Sequence, residues 1–232
     1  MQTIGLIGGM SWESTIPYYK KINETIKHYL GGLHSAKIIL YSVNFQEIEQ
    51  LQRDDKWEEA GQILLSGALA LERAGADFLV LCTNTMHKVA PVIESSISTS
   101  LLHIVDPTAS AIKSAGYKQV ALLGTRFTME QDFYKKRLLH EHGINVLIPS
   151  PEERELVHHI IYNELCLGIL NENSRRLYLN IIENMAKQGA EAIILGCTEI
   201  SMLIRPEHTN VSLFDTTQIH AVAAAKQALA FQ

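Results

Sequence analysis

Short apolar runs alternate with longer segments of helical periodicity along the whole chain. Residues 3–7, 78–81 and 192–195 form nearly uninterrupted apolar runs, which are typical of strands buried on both faces of a sheet. The segments between such runs repeat apolar residues every three or four positions, as residues 16–26 do, and this spacing predicts helices. The regular alternation predicts the α/β class, with parallel strands and helices on both faces of the sheet.

The pattern of the first half returns in the second half. Residues 75–85 align without gaps with residues 189–199, and residues 3–9 align with residues 119–125. Four strand–helix units therefore occur twice. This internal repeat predicts two similar α/β domains, each a short parallel sheet flanked by helices, related by pseudo-twofold symmetry.

The composition is that of a globular chain with sizeable cores. Of the 232 residues, 47% are hydrophobic and 19% are charged, with a formal net charge of −5. The mild negative charge argues against binding to nucleic acid or to an anionic membrane surface, and no apolar run approaches the ~18 residues of a membrane span. The three widely spaced cysteines favour a reducing compartment over a disulfide framework. Because a strand begins at Thr3, we expect no signal peptide and a cytoplasmic protein.

Cys197 follows the apolar run 192–195 and so lies at the carboxyl end of a predicted strand, where open α/β sheets bind their ligands. The alignment of the two halves sets Thr83 opposite Cys197. In two domains related by a pseudo-twofold axis, these strand ends are expected to border one cleft, with both side chains facing a single bound molecule. Because side chains alternate along a strand, Cys82 should point away from that cleft.

Two proton-handling groups on opposite sides of a small ligand suit the inversion of a stereocentre. One group removes a proton and the other returns one to the opposite face. A thiol with a reference pKa of about 8.5 is a plausible base for this step. The turns at residues 8–11, which include Met10, and at residues 124–125 supply backbone N–H groups. Together with Thr125, Asn84, Thr85 and Thr198, they are candidates to hold a carboxylate and a developing enolate.

Three motifs, at residues 8–14, 82–85 and 196–199, together resemble the PLP-independent aspartate/glutamate racemase family. The resemblance covers essentially the whole chain and is closest to the broad-specificity or acidic amino-acid branch of enteric bacteria. It implies a two-base mechanism without cofactor or metal, in a homodimer. It also implies that the last helix returns to the first domain. We therefore predict an N-terminal domain of residues 1–100 plus 213–232 and a C-terminal domain of residues 101–212.

The chain departs from the family pattern in two places. The family normally carries cysteine where this chain has Thr83, and a hydroxyl is a far poorer base than a thiol. The lysine that some members have near residues 165–168 is also missing. In place of that lysine, we predict that Arg53, next to Gln52, binds an acidic side chain of the substrate. The family's stereochemistry implies that Cys197 deprotonates the L-enantiomer.

Simpler roles exist for these residues. Thr83 could cap the following helix, Asn84 and Thr85 could be turn residues, and Cys197 could be a small buried hydrophobe. The leading prediction is a racemase of aspartate and glutamate. The alternatives are an isomerase or decarboxylase of a small diacid on the same scaffold, and a non-catalytic amino-acid-binding protein. The predicted catalytic residues are Thr83 and Cys197, and the predicted substrate-binding residues are Met10, Gln52, Arg53, Asn84, Thr85, Thr125 and Thr198.

Overall fold

The computed structural model describes residues 1–230 and divides the chain into two compact units. Unit 1 comprises Met1–Ile104 and His220–Gln232, and unit 2 comprises Val105–Ile219. Each unit is a parallel sheet flanked by helices. The predicted α/β class is therefore confirmed.

The strands in chain order are β1 (Thr3–Gly8), β2 (Lys37–Ser42), β3 (Phe78–Leu81), β4 (Ser100–Leu102), β5 (Gln119–Gly124), β6 (Asn145–Leu147), β7 (Ala192–Gly196) and β8 (Ser212–Asp215). The α-helices are α1 (Trp12–Leu30), α2 (Phe45–Arg53), α3 (Trp57–Arg73), α4 (Ala90–Glu94), α5 (Val105–Ser114), α6 (Arg126–Glu130), α7 (Asp132–His142), α8 (Pro151–Asn163), α9 (Glu172–Lys187), α10 (Ile200–Leu203) and α11 (Thr216–Leu229). Short 3₁₀ helices span Thr85–Val89, Leu165–Leu167 and Pro206–His208.

The two sheets have the same topology. Their strand orders are β2-β1-β3-β4 and β6-β5-β7-β8, and every pairing between these strands is parallel. Ile7 pairs with Leu81 between β1 and β3, and Leu123 pairs with Leu195 between β5 and β7. Residues that align between the two halves of the sequence therefore pair in the same register in the two sheets.

The fourth strand of each sheet sets the limits of the units, which lie later than the predicted residues 100 and 212. β4 ends at Leu102, where its pairing with β3 ends, and α5 begins at Val105. β4 pairs with β3, and so belongs to unit 1, whereas β8 pairs with β7 in unit 2. The chain returns to unit 1 only at His220, inside α11.

Each sheet has its own core. In unit 1, Ile4 and Leu6 of β1 and Phe78 and Val80 of β3 are fully buried, and a row of α11 alanines packs with them. In unit 2 the core joins β5 and β7 to helices α8 and α9. Burying aliphatic surface on this scale supplies most of the stabilisation of such sheets. It also fixes the carboxyl ends of β1, β3, β5 and β7, where the candidate residues lie.

Candidate active site

The loop after β3 in unit 1 carries three of the predicted residues, Thr83, Asn84 and Thr85, and all three are buried. The Thr83 N–H donates to the carbonyl oxygen of Leu81 at 2.9 Å. Nδ1 of His87 lies 2.7 Å from the carbonyl oxygen of Thr83. Both backbone groups of Thr83 are therefore bonded within unit 1, and the 3₁₀ helix follows two residues later.

Met10 and Gln52 are buried on other elements of unit 1. Gly9, with φ of 92°, makes the turn before Met10, and a Cβ there would lie 2.3 Å from the carbonyl oxygen of Val43. Only glycine fits the backbone at position 9. Nε2 of Gln52, on α2, lies 2.9 Å from Sδ of Met86. The structure thus brings Gln52 to the segment that follows Thr85.

Arg53 differs from its neighbour Gln52. Its side chain is 67% exposed and forms an ion pair with Glu49, whose side chain is 11% exposed. The two residues are one helical turn apart on α2, so this pair is local. A guanidinium in this position is available to solvent and has a carboxylate partner of its own.

The loop after β7 in unit 2 carries Cys197 and Thr198, both buried. Sγ of Cys197 lies 3.0 Å from Oε2 of Glu199, and the Thr198 hydroxyl donates to the same oxygen. Glu199 is 3% exposed. Burial raises the pKa of the Cys197 thiol well above its usual value, and the negative charge of Glu199 raises it further. A buried thiol thus has a carboxylate as its nearest proton acceptor.

Glu199 is a site residue that the sequence reasoning did not single out. It stood within the motif at residues 196–199, two positions after the thiol, but the spacing alone did not show that its carboxylate turns back towards the sulfur. The sequence does place a carboxylate shortly after a buried strand. A buried carboxylate needs a hydrogen-bond donor or a positive charge as its partner.

Thr125 lies between the end of β5 and the start of α6. Its Oγ1 accepts from the Thr128 N–H at 3.3 Å, so it serves as the N-cap of that helix. Gly124 of β5 pairs with Gly196 of β7, and a Cβ on Gly124 would lie 2.8 Å from the Gly196 carbonyl oxygen. The small residues let the two strand ends approach, and Thr125 and Cys197 each follow one of them. The structure therefore gathers Thr125, Cys197, Thr198 and Glu199 at one edge of unit 2.

Thr83 and Cys197 hold equivalent positions in their units. Each lies two residues beyond a leucine, Leu81 or Leu195, that pairs with the adjacent central strand in the same register. In unit 1 the position equivalent to Glu199 is occupied by Thr85. The repeat is therefore structurally regular and chemically asymmetric.

The other two cysteines, Cys82 and Cys166, pack with the cores of unit 1 and unit 2. Cys82 is fully buried in the core of unit 1, and burial raises the pKa of its thiol far above the usual range. Cys166 is partly buried, packs against the core of unit 2, and adds to the rise of the Cys197 pKa. None of the three cysteines forms a disulfide bond in the part of the chain that the structure describes.

One cluster in unit 2 has the ligand types of a metal site: Asp106, Glu141 and His142. Arg137 donates to both carboxylate oxygens of Asp106 at 2.8 Å, and Nε2 of His142 lies 3.0 Å from one of them. Burial alone would raise the pKa of Asp106, but the bonds and charges of Arg137 and His142 lower it overall. The carboxylate already has a guanidinium partner, so we read the cluster as an ion-pair network.

Comparison with known proteins gives the class to which this fold and these strand-end motifs belong. Residues 7–224 match the family model described as Asp/Glu/Hydantoin racemase. The chain belongs to this family of amino-acid racemases, which are isomerases that work without a cofactor.

Among its relatives is the broad-specificity amino-acid racemase RacX of Bacillus subtilis, 26% identical over 99% of each chain. A candidate Asp/Glu racemase from Yersinia pestis is 56% identical, with a TM-score of 0.92 over 99% of this chain and 100% of that one. An aspartate racemase homologue from Pyrococcus horikoshii is 36% identical, with a TM-score of 0.84 over 99% and 100% of the two chains. Over the residues that the structure describes, none of the helices has the length and apolar character needed to cross a membrane.

Proposed function

We propose that this protein is a cofactor-independent racemase of aspartate and glutamate that uses Cys197 and Thr83 as its acid–base groups. One observation carries the proposal. A buried thiol bonded to a carboxylate and a buried hydroxyl occupy equivalent strand-end positions in the two repeated units. The family supports the reaction type, and the acidic substrate is our inference from Arg53 and from the relatives described as Asp/Glu or aspartate racemases.

In the proposed reaction Glu199 takes the proton from Sγ of Cys197, and the thiolate removes the α-proton of the L-amino acid. The resulting enediolate takes a proton on its other face from the Thr83 hydroxyl. One proton leaves Cα and one returns, so substrate and product have the same composition. After this step Cys197 is again a thiol, Glu199 is protonated and Thr83 is an alkoxide. Loss of a proton from Glu199 to solvent and gain of one by Thr83 from solvent restore all three groups before the next turnover.

The predicted binding residues divide by their chemistry. Asn84, Thr85, Thr125, Thr198 and Gln52 are buried polar groups at or near strand ends, and we assign them to the α-carboxylate and amino group, with Met10 as an apolar contact. Their amide and hydroxyl groups have the donor and acceptor chemistry that a carboxylate and an ammonium group require.

Solvent deuterium exchange at Cα, followed by NMR, tests the function. We expect the purified protein to incorporate deuterium into L-aspartate and L-glutamate and to produce the D-forms. A diacid isomerase or decarboxylase would leave the α-proton of amino acids in place, and a binding protein would bind them without any exchange. Either result would refute the racemase assignment.

Arg53 gives the first specific prediction. Replacing it by alanine should raise KM for aspartate and glutamate about tenfold or more, because a charged partner of the side-chain carboxylate is lost. KM for a neutral amino acid should change little. Steady-state kinetics on both substrate types measure the difference. Arg73→Ala, an exposed arginine at the end of α3, is the matched control, and equal effects of Arg53→Ala on acidic and neutral substrates would remove Arg53 from the site.

Glu199 gives the second. In Glu199→Gln the thiol loses the neighbouring negative charge that raises its pKa, so alkylation of Cys197 should begin at lower pH than in the wild type. Proton exchange should nevertheless fall by about 10²-fold or more, because the proton acceptor is gone. Mass spectrometry of the alkylated Cys197 peptide against pH, beside NMR exchange rates, separates the two effects. Glu191→Gln, which changes the residue directly before β7, is the control. An unchanged alkylation profile would contradict the assignment of Glu199.

We further propose a cytoplasmic homodimer. The support is an exposed apolar stripe on α1, where Trp12, Ile16 and Tyr19 are each more than half exposed and lie on one helical face. Three cysteines without a disulfide bond among the described residues suit a reducing compartment. Sedimentation equilibrium should give twice the mass of one chain, and the monomer mass at micromolar concentration would refute the dimer.

A further inference from the structure

A buried histidine ties the Thr83 loop to the point where the chain leaves unit 1. His87 is 1% exposed. One ring nitrogen, Nδ1, lies 2.7 Å from the carbonyl oxygen of Thr83. The other, Nε2, accepts from the backbone N–H of Ile104 at 3.2 Å. Ile104 is the last residue of unit 1 before the chain enters unit 2.

These two partners fix the state of the ring. A carbonyl oxygen only accepts hydrogen bonds, so Nδ1 of His87 must carry a hydrogen. A backbone N–H only donates, so Nε2 must present its lone pair. His87 is therefore neutral and in its Nδ1–H tautomer. A second proton on Nε2 would set one N–H against the N–H of Ile104, and the other tautomer would lose both bonds.

Two further buried histidines surround this ring. The ring of His103 lies 4.4 Å from that of His87, and the ring of His220 lies 6.0 Å from it, measured between centroids. His220 is bonded to the carbonyl oxygen of Leu102 at 2.8 Å through Nε2 and to the hydroxyl of Tyr18 at 3.0 Å through Nδ1. His220 is also the residue at which the chain re-enters unit 1. Ile104 and His220, where the chain leaves and re-enters unit 1, are therefore both hydrogen-bonded to other residues of unit 1.

We propose that His87 is a positioning residue for the racemase reaction, acting through the backbone of Thr83. This inference rests on the proposed function, because it assumes that the Thr83 hydroxyl transfers a proton. With its N–H bonded to Leu81 and its carbonyl bonded to His87, Thr83 has both backbone groups fixed. The hydroxyl then moves only by rotation about the Cα–Cβ bond. A misplacement of about 1 Å is enough to cost on the order of 10²-fold in rate.

Two conservative variants separate the two ring bonds. In His87→Asn the side-chain NH₂ stands where Nδ1–H stood and keeps the bond to Thr83. In His87→Gln the amide reaches the position of Nε2 and keeps the bond to Ile104. Each variant loses one of the two bonds, so a purely structural role would affect both alike. A positioning role would not.

The readout is the fraction of the deuterated product that has become D, starting from L-aspartate in D₂O. Exchange with retention needs only Cys197, whereas inversion also needs Thr83. We expect His87→Asn to keep the wild-type fraction and His87→Gln to lower it about tenfold, with total exchange from L-aspartate changed little in both. Equal fractions in the two variants would overturn the inference. Absence of any exchange in the wild type would refute the proposed function instead.

A measurement on the wild type keeps the inference testable if a variant fails to fold. Long-range ¹H–¹⁵N spectra of ¹⁵N-histidine-labelled protein should show the His87 ring protonated on Nδ1 and unprotonated on Nε2. This tautomer is the less common one for neutral histidine. The Nε2–H tautomer would contradict the bond to Thr83 without reference to activity. Spectra of the His103→Gln variant assign the signals of the neighbouring ring.

Discussion

Replacing Cys197 by alanine should abolish α-proton exchange with aspartate and glutamate, lowering the rate by about 10³-fold or more. The thiol is the group that Glu199 is placed to deprotonate, and alanine leaves no base in unit 2 at this position. The side chain is small and lies at a strand end, so the sheet order and the β5–β7 pairing should remain. NMR exchange in D₂O measures the loss, and circular dichroism checks the fold.

The chain provides matched controls for this result. Cys82→Ala and Cys166→Ala each remove one thiol, the first from the core of unit 1 and the second from beside the core of unit 2. Both variants should exchange within about threefold of the wild type, although Cys82→Ala should be less stable because it leaves a small cavity. If Cys197→Ala still exchanged deuterium at near the wild-type rate, the thiol would not be the base.

Replacing Thr83 by cysteine should raise the rate of α-proton exchange, whereas replacing Cys197 by alanine should lower it. The hydroxyl does not readily ionise at neutral pH, so the wild type should exchange L-aspartate readily and D-aspartate slowly. An equilibrium catalyst favours neither net direction, and the asymmetry must appear in turnover and isotope exchange. With a thiol at position 83, exchange from the D-side and racemisation in both directions should rise, by about ten- to a hundredfold.

The size of that gain depends on what surrounds the new thiol. Thr83 is 7% exposed, and burial disfavours a thiolate. Unit 1 also has Thr85 where unit 2 has Glu199. Exchange rates from both enantiomers, with Thr83→Val as the control that removes the hydroxyl, measure the effect. Equal exchange from both enantiomers in the wild type would show that Thr83 is already an adequate acid–base group.

The sequence predicted the features that depend on local pattern. Apolar runs indicate the strands, and the internal repeat places Thr83 and Cys197 at equivalent positions. Ser11 caps α1 by accepting from the Ser14 N–H, and Gly31 ends that helix, both being residue types that favour these positions. These features are local because caps and strands are formed by neighbours in the chain.

The remaining features depend on contacts between distant parts of the chain. Ile104 and Val105 look like strand residues, yet β4 ends at Leu102 because pairing with β3 ends there. His87 bonds Ile104, seventeen positions away, and no spacing rule indicates such a pair. Tertiary packing decides these points.

The place of α11 has a consequence for how the protein is made. Its alanines complete the core against β1 and β3, and the Gln2 N–H donates to the carbonyl oxygen of Ala228 at 2.9 Å. Unit 1, although its first strand leaves the ribosome early, lacks part of its core until the last helix has been synthesised. Unit 2 is continuous in the chain and has all of its strands before then. Vectorial synthesis usually lets the N-terminal domain fold first. Here unit 2 should fold before unit 1, because the core of unit 1 is incomplete until α11 has been synthesised.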